Sequence, residues 1–176
     1  MLRYLDVQNI LDKNDLILQE SGCVGSENER GNTYMKKIGI VTDSHSSISQ
    51  EEAEKLGIFV LPMPFYIDGE CFYESVTLSR ELFFEKLAAG ADITTSQPSP
   101  TAVMEIWDKA LEQFEKILYM PISSGLSGSY ETAMMLAKDE AYEGRVLVVD
   151  DGQVAAPLHQ MVLDTLDMIE KGYEAE

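Results

Sequence analysis

After residue 35 the chain alternates short apolar runs with longer stretches whose apolar residues recur every three or four positions. Residues 38–42 are apolar and β-branched without alternation, as in a parallel strand covered on both faces. Ser49-Gln50-Glu51-Glu52 has the S-x-x-E spacing of a capping box and opens a short helix that stops at Gly57. Residues 58–61 form the next strand. Asp68-Gly69, set between Phe65-Tyr66-Ile67 and Glu70-Cys71-Phe72-Tyr73, predicts a hairpin. Ser79 caps a helix that runs to residue 89. Pro100 opens another over residues 100–113, with Val103, Ile106, Trp107, Ala110, Leu111 and Phe114 on one face. A strand at 117–122, a helix at 127–139, a strand at 145–149 and a helix at 154–171 complete the pattern. Strands alternating with helices in this order predict an α/β domain with a mostly parallel sheet flanked by helices.

The first 34 residues lack this order. Leu5, Ile10, Leu11, Leu16, Ile17 and Leu18 suit one short amphipathic helix, and the Gly-, Ser- and Asn-rich stretch 21–33 reads as loop or disorder. Met35 stands directly before Lys36-Lys37 and the first strand. Two units are therefore expected: residues 1–34, an extension or the product of a misplaced start, and residues 35–176, the folded domain.

Charge narrows the partners. The formal net charge is -18, of which the first 34 residues carry only six acids against three bases. A body this acidic repels nucleic-acid phosphates and anionic lipid surfaces, so neither is an expected partner. No apolar run approaches the ~20 residues of a membrane span, and stable membrane insertion is not expected. Cys23 and Cys71 have neither CxxC nor metal-ligand spacing and read as reduced thiols of a cytoplasmic protein.

Ligands of open α/β sheets bind beyond the carboxyl ends of strands. Three hydroxyl-rich segments are expected there: Thr42-Asp43-Ser44-His45-Ser46-Ser47, Thr94-Thr95-Ser96-Gln97-Pro98-Ser99, and Ser123-Ser124-Gly125-Leu126-Ser127-Gly128-Ser129. Each alone is explained by ordinary helix capping. Together on one sheet edge they suit a carboxylate or phosphate held by hydroxyls and free amides. Gly125-Leu126-Ser127-Gly128-Ser129 has the setting of a nucleophile elbow but ends in Ser rather than Gly. A hydrolase would also need a base, and the histidines are His45, in a polar turn, and His159, in the last helix. Asp43 follows a strand and is suited to orienting amides; Asp150-Asp151 lacks a third metal ligand, and turn and capping roles explain it. Pro62-Met63-Pro64-Phe65-Tyr66-Ile67 is core or the wall of an apolar pocket.

The ordered string Lys37-Ile38-Gly39-Ile40-Val41-Thr42-Asp43-Ser44, Pro62-Met63-Pro64-Phe65 with Ile67-Asp68-Gly69, Thr95-Ser96-Gln97-Pro98-Ser99-Pro100, Ser123-Ser124-Gly125-Leu126-Ser127-Gly128-Ser129-Tyr130 and Val148-Val149-Asp150 resembles the DegV family across residues 36–174. The resemblance implies a two-domain α/β protein that buries a long acyl chain such as palmitate in a tunnel, with no cofactor. It also implies a non-catalytic acyl carrier, which in some members serves the ATP-binding subunit of a fatty acid kinase. By the same resemblance Ser96 is the main hydroxyl for the carboxylate and the Ser127-Gly128 turn lines the head-group region. Two departures stand out. The family often places Thr where this chain has Pro64, so a second donor must come from elsewhere, such as Thr95. The Ser- and Gly-rich turn after Asp150 is replaced by Asp151-Gly152-Gln153-Val154-Ala155-Ala156-Pro157. The resemblance spans only the family's first domain, so the chain is expected to bind fatty acid weakly or not at all by itself. The alternatives are a serine hydrolase or phosphotransferase using the Ser127 turn, and a regulatory or assembly module without ligand.

Overall fold

The computed structural model describes residues 36–73, 76–173 and 175. The expected extension at 1–34, with its short helix and Cys23, lies outside them.

The lysine-led apolar run forms β1 (Lys36–Asp43), the centre of the main sheet. Its neighbours are β2 (Phe59–Leu61) on one side and β6 (Phe114–Met120) on the other, with β7 (Val146–Val148) beyond β6. All three pairings are parallel. Helices α1 (Gln50–Leu56) and α5 (Ala156–Glu170) supply one face; α3 (Pro100–Leu111) and α4 (Ser129–Leu136) supply the other. Strand alternation sends Ile40, Val60 and Met120 toward Ala53, Leu158 and Val162 on the α1/α5 side. Val41, Phe59, Ile117 and Tyr119 go toward Val103, Ile106, Trp107 and Ala133 on the α3/α4 side. Gly39 is required by close approach: a Cβ there would lie 2.5 Å from the Phe114 ring.

The expected hairpin does not join the parallel sheet. Asp68 and Gly69 both take positive φ (50° and 83°), the geometry of a two-residue hairpin turn between β3 (Pro64–Ile67) and β4 (Glu70–Tyr73). A strand absent from the sequence-based pattern, β5 (Ile93–Thr95), pairs antiparallel on the other side of β3. These three make a separate antiparallel sheet in the order β4-β3-β5. Thr94 and Thr95, expected in a loop, therefore sit on a strand, and only residues 96–99 form the loop before α3. The hairpin turn is tied to β5, since Asp68 N–H donates to Asp92 O (2.8 Å) and Asp92 N–H to Asp68 Oδ1 (3.0 Å).

Element ends shift for local reasons. β6 begins at Phe114 rather than 117, because Phe114 already pairs with Lys36. α4 is shorter than expected, starting at Ser129 with Gly128 as an N-cap that makes no side-chain hydrogen bond. Ser49 and Ser79 cap their helices as expected and Ser99 caps α3; the three hydroxyls accept from Glu52, Leu82 and Ala102 N–H. Helix α2 (Arg80–Ala88) differs from its neighbours: Leu82, Phe84 and Leu87 on it are all exposed.

Candidate ligand-binding site

The antiparallel sheet separates two clefts. On one face lies an apolar cleft of about 280 Å³, walled by Met63 and Phe65 from the sheet side, Leu78, Phe83 and Phe84 from the α2 side, and Ile93. Its polar lining is Ser44, His45, Ser79 and Thr95. Aromatic contacts build the wall: Phe65 meets Phe83 edge-on at 5.7 Å and Phe72 at 6.1 Å. On the other face a cleft of about 370 Å³ is lined by Pro62, Tyr66, Cys71, Tyr73, Ser96, Gln97 and Ser99. Pro64 borders both.

The period of two in β5 explains how adjacent candidates part. Thr95 is cross-strand partner to Phe65 and lines the apolar cleft with it. Ser96, one residue on, lines the opposite cleft. Its amide donates to Pro64 O at 3.4 Å and its hydroxyl to Gln97 O at 3.0 Å. To donate to a ligand carboxylate, that hydroxyl must turn away from Gln97. Pro64, Thr95 and Ser96 are thus brought together at one sheet edge, whereas Ser127 and Gly128 belong to a different turn. The link between the two groups is Gln97, which sequence reasoning quoted only as part of a motif. Its Oε1 accepts from Thr132 Oγ1 (3.2 Å) and lies 3.4 Å from where a Gly128 Cβ would stand. Ser127 Oγ is engaged locally, 2.8 Å from Ser129 Oγ and accepting from Ser129 N–H.

The acidic residues at the edge of the parallel sheet are structural. Asp43 is fully buried; Oδ1 accepts from His45 N–H (2.9 Å) and Oδ2 from Ile122 N–H (2.8 Å). It thereby joins the turn after β1 to the segment after β6. Asp150 accepts from the Ser124 hydroxyl, from Ser124 N–H at 3.3 Å and from Gly152 N–H at 3.1 Å. Those donors, the Ser124 hydroxyl foremost, hold its carboxyl below the usual range. Among the described residues no group of three or more His, Cys, Asp or Glu could hold a metal ion. His159 Nε2 lies 3.0 Å from Glu52 Oε1, joining α5 to α1.

A family model for the DegV proteins, a group described as uncharacterised, matches residues 37–176. The chain belongs to the DegV family. A DegV domain-containing protein of Caldanaerobacter subterraneus is 33% identical over 142 residues, covering 81% of this chain and 50% of its own length. The fold of a fatty-acid-binding DegV family protein from Thermus thermophilus superposes with a TM-score of 0.71 at 32% identity, over 78% of this chain and 49% of that one. The chain spans about half the length of these relatives. A shorter one exists: a 15.5 kDa DegV domain-containing protein of Staphylococcus aureus is 28% identical over 135 residues, 77% of this chain and 95% of its own length. No helix among the described residues is long and apolar enough to cross a membrane.

Proposed function

We propose that this DegV chain binds a long-chain fatty acid such as palmitate without catalysing its turnover, taking the acyl chain into the cleft between the antiparallel sheet and α2. The observation that carries this is the wall of Met63, Phe65, Leu78, Phe83, Phe84 and Ile93, with hydroxyls at its margin. Each methylene moved from water to such a wall contributes ~0.8 kcal/mol. A carboxylate dragged along without partners would cancel much of that; we give the partner's role to Thr95 inside the cleft and, for a head group that reaches past the Pro64 end of the sheet, to Ser96 on the far side, with the Ser127-Gly128 turn behind Gln97. The fatty-acid binding of the Thermus thermophilus relative supports the same reading. The cleft is near the lower end of the ~300–1,000 Å³ of small-molecule sites, so binding by this chain alone is weak. Presentation of the acid to a separate kinase subunit in the cytoplasm is the use we infer, and residues 35–176 are the unit that does it.

The test is a native mass spectrum and an NMR titration of the delipidated chain with palmitate. A 1:1 adduct lost on dilution, with shifts at Phe83, Phe84 and Thr95, is expected. No shift at the cleft with excess palmitate would sink the proposal. Turnover of an acyl ester that is abolished by Ser127→Ala would replace it with a hydrolase.

A further inference from the structure

We propose that His45 is the charge-bearing ligand of the fatty-acid carboxylate, the residue that selects an acid over a neutral lipid of equal length. This rests on the fatty-acid reading above. Among the described lining residues of the two clefts there is no lysine or arginine, and His45 is the described residue of the apolar cleft whose side chain can carry a positive charge. A carboxylate entering an apolar site on a chain of net charge -18 needs such a partner. The hydroxyls of Ser44, Ser79 and Thr95 can bond the carboxylate but do not select for it, because they bond an alcohol as well as an acid. Pro64 offers no N–H.

The histidine is held for this role. Its amide is fixed by Asp43 Oδ1 (2.9 Å), and its carbonyl accepts from Ala155 N–H at 2.7 Å. Nδ1 is buried 3.3 Å from Asp43 Oδ1, close enough for charge attraction but not aligned for a hydrogen bond. The side chain nevertheless keeps 36% of its surface exposed. With Nδ1 buried, the exposed surface belongs to the rest of the side chain, of which Nε2 is the remaining polar atom. A carboxylate behind one ring nitrogen fixes the ring, and the exposed remainder of the imidazole borders the cleft where an anionic head group would lie.

The experiment titrates the delipidated 176-residue chain with dodecanoate and, separately, with 1-dodecanol, following amide shifts by NMR at neutral pH. The wild type binds the acid about tenfold tighter than the alcohol, a factor worth ~1.4 kcal/mol. His45→Phe brings the two affinities together by weakening dodecanoate binding more than dodecanol binding, and His45→Gln falls between. If the Phe variant has lost its native spectrum, the Gln variant alone decides, and an undiminished acid preference in it overturns the proposal. An undiminished preference in a folded His45→Phe does the same. Equal binding of both lipids by the wild type overturns this proposal and leaves the fatty-acid reading standing. Binding of neither overturns both.

Discussion

Ala155 has φ 56° and ψ -133°, a conformation in which a Cβ is poorly accommodated. It is held there because its amide donates to His45 O and the next two residues open α5 with Pro157. Such a residue costs about 1–3 kcal/mol in strain. Glycine at the same place gives back about 0.5–1 kcal/mol through the freer unfolded chain. Ala155→Gly is therefore expected to stabilise the chain by about 1 kcal/mol and raise Tm by about 3 °C; an unchanged or lower melting temperature contradicts this. The departure from the family's Ser- and Gly-rich turn thus has a local energetic consequence. It bears on the site as well, since the strained amide is one of the two anchors of the His45 backbone.

At the scale of elements, α3 is joined to β6 by an aromatic contact on the face that the sequence period made visible, and to the segment before β7 by ring and polar contacts that the period did not show. Trp107 packs edge-on against Tyr119 (5.4 Å) and Tyr142 (5.3 Å). Tyr142 donates to Asp108 Oδ1 at 2.9 Å, and burial, reinforced by that bond, pushes its phenol up to about 12. Deep burial, with the Asp43 charge adding to it, also holds Tyr119 neutral. A raised phenol stays protonated in the folded chain after the unfolded chain has lost its proton near pH ~10. Stability therefore falls as pH rises from 10 toward 12. Tyr142→Phe should cost about 1.5–3 kcal/mol at neutral pH and flatten part of that alkaline decline, with Tyr119 keeping the rest. Urea unfolding at pH 8, 10 and 11 checks both; an equal decline in the variant contradicts the assignment. The helical period from Pro100 and the Asp68-Gly69 turn were legible because each signal is local, although the helix ends at Leu111 and Phe114, expected on its face, opens β6. Strand β5 was not, because three residues carry no measurable alternation and their pairing depends on β3, some thirty positions earlier. For the same reason the separation of Thr95 from Ser96 onto opposite faces, and the bridging place of Gln97, follow only once that pairing is known. The place of His45 in the cleft was equally hidden: a histidine in a polar turn looks the same whether it faces solvent or an apolar wall built from distant residues.

The whole molecule puts its two functions in different layers. The parallel sheet and its four helices form the core, with Val41, Trp107, Ile117, Tyr119 and Leu158 fully buried. The antiparallel sheet and α2 form a thinner layer, where Phe84 and Leu87 remain 53% and 47% exposed. Packing is densest where the fold is held and loosest where the acyl chain is proposed to enter, as expected for a site that must admit a flexible ligand. The domain boundary proposed near Met35 can be argued at this scale. β1 pairs with β6 from Lys36, opposite Phe114, to Thr42, opposite Met120, so residues 36–42 by themselves set the register of the central strand. The acids of residues 1–34 add net charge of the sign the body already carries in excess, which offers the core no attraction. A chain reduced to residues 35–176 should therefore unfold cooperatively within about 0.5 kcal/mol of the full chain, the range of changes that touch no packed group. It should also keep its acid-over-alcohol preference, since every residue given a part in the cleft lies beyond Met35. Urea denaturation of the two chains side by side measures the first. A loss of several kcal/mol on removing residues 1–34 would make them part of the folded unit rather than an extension of it.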